Sequence, residues 1–436
     1  MQLIEKFHKM ESESSLFDLG RPEGLPIWDV VRYNVYLKYY YPEADRVRLE
    51  MKSRRSFIDF FLLIKQIFLF FIRIPFFNGQ NIVFTSSRYI SDEGLYFDKS
   101  AMSIINSLGH NYIIVEPNLK KKLAYSYFYD FSNFLRRFNR KKLLSMGDFE
   151  RIEMALNSYL DTSQVTYSEI NQILVNFKSD YIFFKRLFSF MKTKRIFIAT
   201  GNPKAHLLAA RELNIAVYLL QHASIEIDEI DYSYPMKVKP NSQILFPEYL
   251  LTLGNYWCKD FNVPAKEIIP IGNDFFYNKP NELGDNSILV ISTIVHGEEL
   301  KRLTKQIANL RHDLKFKFKL HPNEYHFKDE YLRFFETNCN VEIVTNEVDI
   351  NILISKCDLV ILIVSAVLYE ALNQNKKVAI YKRINFERQM HLSNLSNVFL
   401  FDSSSELLDI LEVETVETEV DFYKPADFSL IRALLE

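Results

Sequence analysis

Two short clusters in the C-terminal half carry residue types suited to a phosphate-bearing ligand. The first is Lys319-Leu320-His321-Pro322-Asn323-Glu324 and the second is Ser365-Ala366-Val367-Leu368-Tyr369-Glu370. Each follows a strand-like run, alternating in Phe316-Lys317-Phe318 and apolar over 359–364, and breaks off in small polar or basic residues. Open α/β sheets collect ligands beyond the carboxyl ends of their strands. A histidine donating there offsets charge on a leaving phosphate, and a serine opening a helix adds a hydroxyl and exposed amides. Glu370, one turn along the same helix, is placed to accept from ribose hydroxyls, and Ser292-Thr293 forms another candidate phosphate loop. Singly, each has an ordinary reading: His321 caps a turn, Ser365 caps a helix, Glu370 is solvated. Their recurrence at the strand ends of one sheet favours binding.

The N-terminal half has candidates of its own. A strand predicted over 216–220 runs into Gln221-His222-Ala223-Ser224, then Ile225-Glu226-Ile227-Asp228. His222 is placed to contact a ligand, and Glu226 or Asp228 suits a general base acting on a hydroxyl. The ordinary alternative is a solvated acidic loop. A second acidic pair is Asp92-Glu93, followed by Gly94, with Arg88 nearby to bind an anion or to pair with Asp92 or Asp98. No metal site is expected: Cys258, Cys339 and Cys357 form no CxxC, and Glu226-Ile227-Asp228 only imitates an Asp-x-Asp. Gly-rich dinucleotide and P-loop fingerprints are missing, and 11 glycines in 436 residues argue against dinucleotide oxidoreduction.

These loops need strands to hold them. Strands are expected over 81–85, 112–115, 195–199 and 216–220, with a helix over 205–213. A second alternating series runs from 288 to 381: strands over 288–291, 314–320, 341–344, 359–364 and 377–381, with helices over 298–310, 330–337, 350–355 and 366–373. Strands alternating with helices imply parallel sheets with right-handed crossovers. The linker-rich stretch 278–286 separates the series. We therefore expect a domain over 1–275 with a helical N-terminal extension and aromatic, basic helices. A second domain spans 285–400, and a helical, acidic tail spans 401–436.

Composition agrees with two globular domains, at 48% hydrophobic and 25% charged residues. A net charge of −2 argues against a nucleic-acid partner. The start of the chain lacks a secretory pattern, so a cytoplasmic protein is expected. Phenylalanine (37) and tyrosine (25) are abundant, and one stretch, 57–77, is dense in phenylalanine and leucine. Asp59, Lys65, Gln66 and Arg73 interrupt it, which argues against a membrane span. Two readings fit it. One is a helix buried on the N-terminal sheet. The other, helped by Lys52, Arg54, Arg55 and the basic stretch from Lys120 to Lys142, is a surface resting on the anionic inner face of the cell membrane.

With His321-Pro322, Ser365 and Gln221-His222-Ala223 in place, the chain resembles GT-B glycosyltransferases of bacterial surface polysaccharide synthesis. These include CMP-sugar transferases for Kdo and sialic acid, and CDP-alcohol transferases of the teichoic-acid type. The resemblance is clearest from residue 196 to 380. In that family a His-Pro pair and a downstream Ser/Thr pair hold the nucleotide phosphate. His321-Pro322 and Ser365 match, Ala366 stands where a second hydroxyl is usual, and Ala223 where Gln-His-Gly is usual. Asp92-Glu93-Gly94 matches the acidic motif of bacterial sialyltransferases, which implies a rival general base at Asp92 or Glu93, but lies further upstream.

The resemblance implies an α/β GT-B fold, with two Rossmann-like domains facing each other across a cleft. It implies metal-independent glycosyl transfer in capsule or lipopolysaccharide assembly. The nucleotide-sugar, a CMP-sugar by preference, is then a substrate and no cofactor is needed; the acceptor is a glycan or a lipid-linked sugar. Two alternatives stand beside it: a CDP-glycerol or CDP-ribitol polyol-phosphate transferase, and a non-catalytic membrane-surface scaffold on the same frame.

Overall fold

A computed structural model describes residues 3–20, 24–40, 64–66, 68, 72, 80–91, 93–109, 112–117, 121–132, 136, 142–161, 164–201, 203–226, 229–235, 244–258, 263–277, 280, 284–383, 386–414 and 420–436. The chain forms two compact α/β units. Unit one holds residues 1–252, 258–271 and 426–436; unit two holds 253–257 and 272–425.

Unit one is built on β1 (Asn81–Phe84), β4 (Ile113–Glu116), β5 (Phe128–Tyr129), β6 (Arg195–Ile198), β7 (Ala216–Leu220), β8 (Tyr249–Thr252) and β9 (Glu267–Pro270). A separate antiparallel hairpin, β2 (Tyr89–Ile90) and β3 (Tyr96–Phe97), follows β1. The sheet order is β5-β4-β1-β6-β7-β8-β9, all parallel. Apolar runs such as Ile82-Val83-Phe84 and Ile196-Phe197-Ile198 suit strands buried on both faces. One face packs on the helices Met102–Leu108 and Phe428–Leu435 through Ile104, Ile105, Leu108 and Ile431. Phe84, on β1, meets Phe184 and Phe188 of the long helix Tyr167–Met191. That helix opens with a Thr166–Glu169 capping box.

The N-terminal extension forms the helices Leu3–Glu13 and Ile27–Tyr40. They are tied to the rest of unit one by a buried polar network. Arg32 Nε and Nη2 donate to Glu11 at 2.7 and 2.9 Å, and Trp28 Nε1 donates to the same carboxylate at 2.8 Å. Arg32 also donates to the carbonyls of Ile230 and Ser233 at 2.7 and 3.0 Å. Asp29 accepts from Lys204, Tyr234 and the Leu245 amide. The extension thus braces Ile230, Ser233, Tyr234 and Leu245, in the chain that follows the His222 loop.

Unit two contains β10 (Ser287–Ile291), β11 (Lys315–Lys319), β12 (Val341–Val344), β13 (Cys357–Leu362), β14 (Lys377–Tyr381) and β15 (Val398–Phe401). All are parallel, in the order β12-β11-β10-β13-β14-β15. In β11 the alternation Lys-Phe-Lys-Phe-Lys buries Phe316 and Phe318 in the core with Leu300, Leu303 and Ile307 of the helix Gly297–Leu310.

Most expected elements recur within a few residues, but β2, β3, β5, β8, β9 and β15 were not foreseen, and β5 lies in the basic, aromatic stretch expected to be helical. β5 is two residues long, and β9 ends in Pro270 at the sheet edge, where a strand tolerates proline. The tail is not a single helical region. Its helix Ser404–Leu411 belongs to unit two, and its last helix, Phe428–Leu435, belongs to unit one. Between them, residues 424–425 run so close to Gly272 that a Cβ there would sit 2.0 Å from the Pro425 carbonyl; its φ of 71° also requires glycine.

Of the stretch 57–77, residues 64–66, 68 and 72 are described and helical. Ile64, Phe68 and Ile72 are 48%, 65% and 46% exposed, so this stripe at i, i+4 and i+8 is not buried on the sheet. Gln66 Nε2 donates to Tyr127 Oη at 3.4 Å. Among the described residues no helix is long and apolar enough to cross a membrane.

Candidate functional site

In unit two the chain adds β11 and β12 on one side of β10, then β13 to β15 on the other. The carboxyl ends of β10 and β13 therefore mark the point where strand order reverses, the usual ligand crevice of such sheets. Ser292-Thr293 follows β10, His321-Pro322 follows β11, and Ser365 follows β13. The topology thus brings these predicted residues to adjacent strand ends of one sheet.

His321 caps the 3₁₀ turn Pro322–Phe327, with Pro322 in its first position. Its Nδ1 accepts the Asn323 amide at 3.2 Å, so the neutral ring carries its proton on Nε2. Burial lowers its pKa; Glu324 opposes this and Lys319 adds to it. His321 is then an uncharged Nε2–H donor near neutral pH.

Glu324, which the sequence reading did not single out, braces the site. Its Oε2 accepts the His321 amide at 3.0 Å, and its Oε1 accepts Ser292 Oγ at 3.1 Å and Tyr331 Oη at 2.8 Å. One buried carboxylate thereby joins the ends of β10 and β11. The signal was present as an acid three residues after a capping position. The Ser292 hydroxyl is turned inward to Glu324, whereas Thr293 Oγ1 accepts the His296 amide at 3.3 Å and keeps its own proton to donate. Ser365 does not occupy the cap position, which falls on Ala366; its Oγ nonetheless accepts the Val367 amide at 3.3 Å. The Ser365 carbonyl is held by buried Gln389 at 2.8 Å. Glu370 lies half-buried on the helix Val367–Asn373. Lys319, also unforeseen, donates to Tyr325 Oη at 2.9 Å; burial lowers its pKa to about 8, so it stays largely cationic at neutral pH.

In unit one, His222 follows β7 and is half-buried, its Nδ1 lying 3.4 Å from the Leu220 carbonyl. Burial, with a smaller push from Arg88, lowers its pKa to about 4. With Nδ1–H turned to that carbonyl, Nε2 holds the lone pair. Ser86, Arg88, Tyr89, Asp98, Ser100, Ala199 and His222 line a shallow, open depression at the ends of β1, β6 and β7.

Glu226 is buried, unlike a solvated loop acid. Asp228 and Asp92 lie outside the described residues. Glu93 is exposed at the β2–β3 turn, where the Gly94 amide, at a φ of 73°, donates to the Ser91 carbonyl at 2.8 Å. Glycine there has a turn to make, independent of any chemistry. Among the described residues no group of three or more His, Cys, Asp or Glu is placed to hold a metal ion.

Fold and loops together define an α/β protein with two Rossmann-like parallel sheets, each with polar groups at its strand-order reversal. No family model matches the chain, and no curated protein does. Similar solved structures include a UDP-GlcNAc 2-epimerase from Methanocaldococcus jannaschii, 13% identical with a TM-score of 0.48, over 81% of this chain and 98% of that one. The wall teichoic acid polymerase TagF is 13% identical with a TM-score of 0.43, over 82% and 89%. A glycosyltransferase from Rickettsia africae is 11% identical with a TM-score of 0.42, over 77% and 88%. At these values the likenesses carry no argument about chemistry in this chain.

Proposed function

We propose that the chain is a metal-independent GT-B glycosyltransferase that moves a sugar from a nucleotide-activated donor, a CMP-sugar by preference, to a glycan or lipid-linked acceptor in bacterial surface polysaccharide assembly. One observation carries the reading: His321 Nε2–H, Thr293 Oγ1 and Ser365 Oγ are donors at three neighbouring strand ends, with Lys319 adding positive charge. Preorganised donors of this kind stabilise charge developing on a leaving phosphate. Glu370 is assigned to the ribose hydroxyls, and Pro322 fixes the loop that presents His321.

Unit one supplies the acceptor side. The acceptor oxygen bonds to the anomeric carbon as its proton passes to His222 Nε2. The bond from that carbon to the nucleotide phosphate breaks, and its electron pair stays on the phosphate oxygen. Burial of Glu226 and the hairpin-tip position of Glu93 favour His222 over these acids as base. The exposed stripe of Ile64, Phe68 and Ile72, with exposed Lys65 beside it, supports docking to an anionic membrane surface, where lipid-linked acceptors are met.

A thermal-shift screen with CMP, CDP, UDP and GDP tests the reading. A cytidine nucleotide should raise the melting temperature, and His321→Ala should remove the shift. No response to any nucleotide would defeat the catalytic reading. Turnover of CDP-glycerol in place of CMP-sugars would instead assign polyol-phosphate transfer.

A further inference from the structure

The depression in unit one sits at that sheet's own reversal, because β4 and β5 extend from one side of β1 and β6 to β9 from the other. The loop after β1 is held firmly there. Buried Glu116 accepts from Thr85 Oγ1 at 2.9 Å, the Ser87 amide at 3.0 Å and Ser87 Oγ at 2.9 Å. Asp98 accepts the Ser86 and Ser100 amides, each at 3.0 Å, and Lys121 donates to the Ser87 carbonyl. Both nearby carboxylates therefore point their oxygens at loop donors rather than at Arg88. Among the described residues no acid forms an ion pair with Arg88, which is exposed and lines the depression beside His222. The Lys99 ammonium stands 4.4 Å from the centroid of the Tyr89 ring, another wall of the same depression.

A guanidinium on a rigid loop, with no counter-ion among the described residues, suits an oxyanion, because its planar fork matches two oxygens of a carboxylate or phosphate. The adjacent Ser86 hydroxyl can add a donor, and the Tyr89 ring offers an apolar wall to a sugar. We propose that this depression binds a sugar acceptor through an oxyanionic group, carboxylate or phosphate, gripped by Arg88, which brings the acceptor's reacting hydroxyl to His222. This rests on the transferase reading and names its acceptor class: an acidic or phosphorylated sugar.

Calorimetric titration of the full chain with glucuronate, glucose 6-phosphate and glucose tests it. At least one anionic sugar should bind about tenfold or more tightly than glucose, equivalent to about 1.4 kcal/mol. Arg88→Gln should abolish the preference while leaving the melting temperature unchanged, since the side chain is exposed. Preference for glucuronate assigns a carboxylate, and preference for the phosphate ester assigns a phosphate. Equal binding of all three sugars overturns the proposal. So does absence of binding at millimolar concentration, or a preference that persists in Arg88→Gln. Cytidine nucleotide binding in the same samples separates the two claims: if it survives while the anion preference fails, only the acceptor assignment falls.

Discussion

A Cβ on Gly297 would stand 2.4 Å from Glu324 Oε1, and 2.6 and 2.9 Å from the hydroxyls of Tyr331 and Ser292. The helix after β10 and the capping acid after β11 therefore fit together only where one of them has no side chain. Gly297→Ala should cost about 1–3 kcal/mol, the usual range for overpacking. Urea unfolding would measure that loss. Nucleotide affinity should fall with it, because Glu324 must swing away from the His321 amide. A variant as stable as the parent would show that the carboxylate is not needed as a brace.

His321 should be uncharged at neutral pH, since its pKa lies below the ordinary imidazole value. His321 should then contribute no change in cytidine nucleotide affinity from pH 7 to 8.5, where the ring stays neutral. Any fall across that range belongs to Lys319, which loses its charge near its pKa of about 8. Affinity should rise as pH falls through the lowered pKa of His321, because the imidazolium attracts phosphate more strongly. His321→Gln keeps a donor and should remove this rise; titrations across the pH range would show both effects.

His206 is buried against Phe84 and Phe184, with ring centroids 4.3 and 3.7 Å away, and burial lowers its pKa to about 3. The unfolded chain binds a proton near pH 6.5 that the native state refuses, so stability falls as pH drops from 6.5 toward 3. Between pH 7 and 5 this amounts to about 2 kcal/mol. His206→Leu should flatten that part of the stability profile; an unchanged slope in denaturant titrations would remove His206 as its source.

Arg32 is fully enclosed, and Glu11 is the carboxylate that balances it. Glu11→Ala should cost about 3–5 kcal/mol by stranding a buried guanidinium. The Arg32 bonds to the Ile230 and Ser233 carbonyls would loosen as well. Proteolysis should then cut the segment 229–235 sooner than in the parent.

Ile64, Phe68 and Ile72 should insert at a lipid surface. Replacing all three by serine should weaken binding to vesicles rich in phosphatidylglycerol by at least about tenfold, given roughly 0.8 kcal/mol for each methylene withdrawn from lipid. The melting temperature should hold, since the stripe is exposed. Equal vesicle binding by parent and variant would exclude this docking face.

Local pattern alone determined much of unit two. In β11 the alternation of lysine and phenylalanine, and in Gly297–Leu310 the 3.6-residue recurrence of leucine and isoleucine, encode element type residue by residue. His321, Thr293 and Ser365 were legible as loop residues because each follows such a strand. Tertiary structure decided what no window of sequence contains. Strand order placed those loops side by side, and it turned the Ser292 hydroxyl inward to Glu324 while leaving Thr293 its proton. It also sent the last helix back to unit one. Among the described residues, it left Arg88 without an acid partner by drawing Glu116 to the Thr85 and Ser87 hydroxyls and the Ser87 amide, and Asp98 to the Ser86 and Ser100 amides. Each outcome depends on contacts between residues distant in sequence, whose pairing is settled by burial and hydrogen-bond satisfaction across the sheet rather than by local propensity.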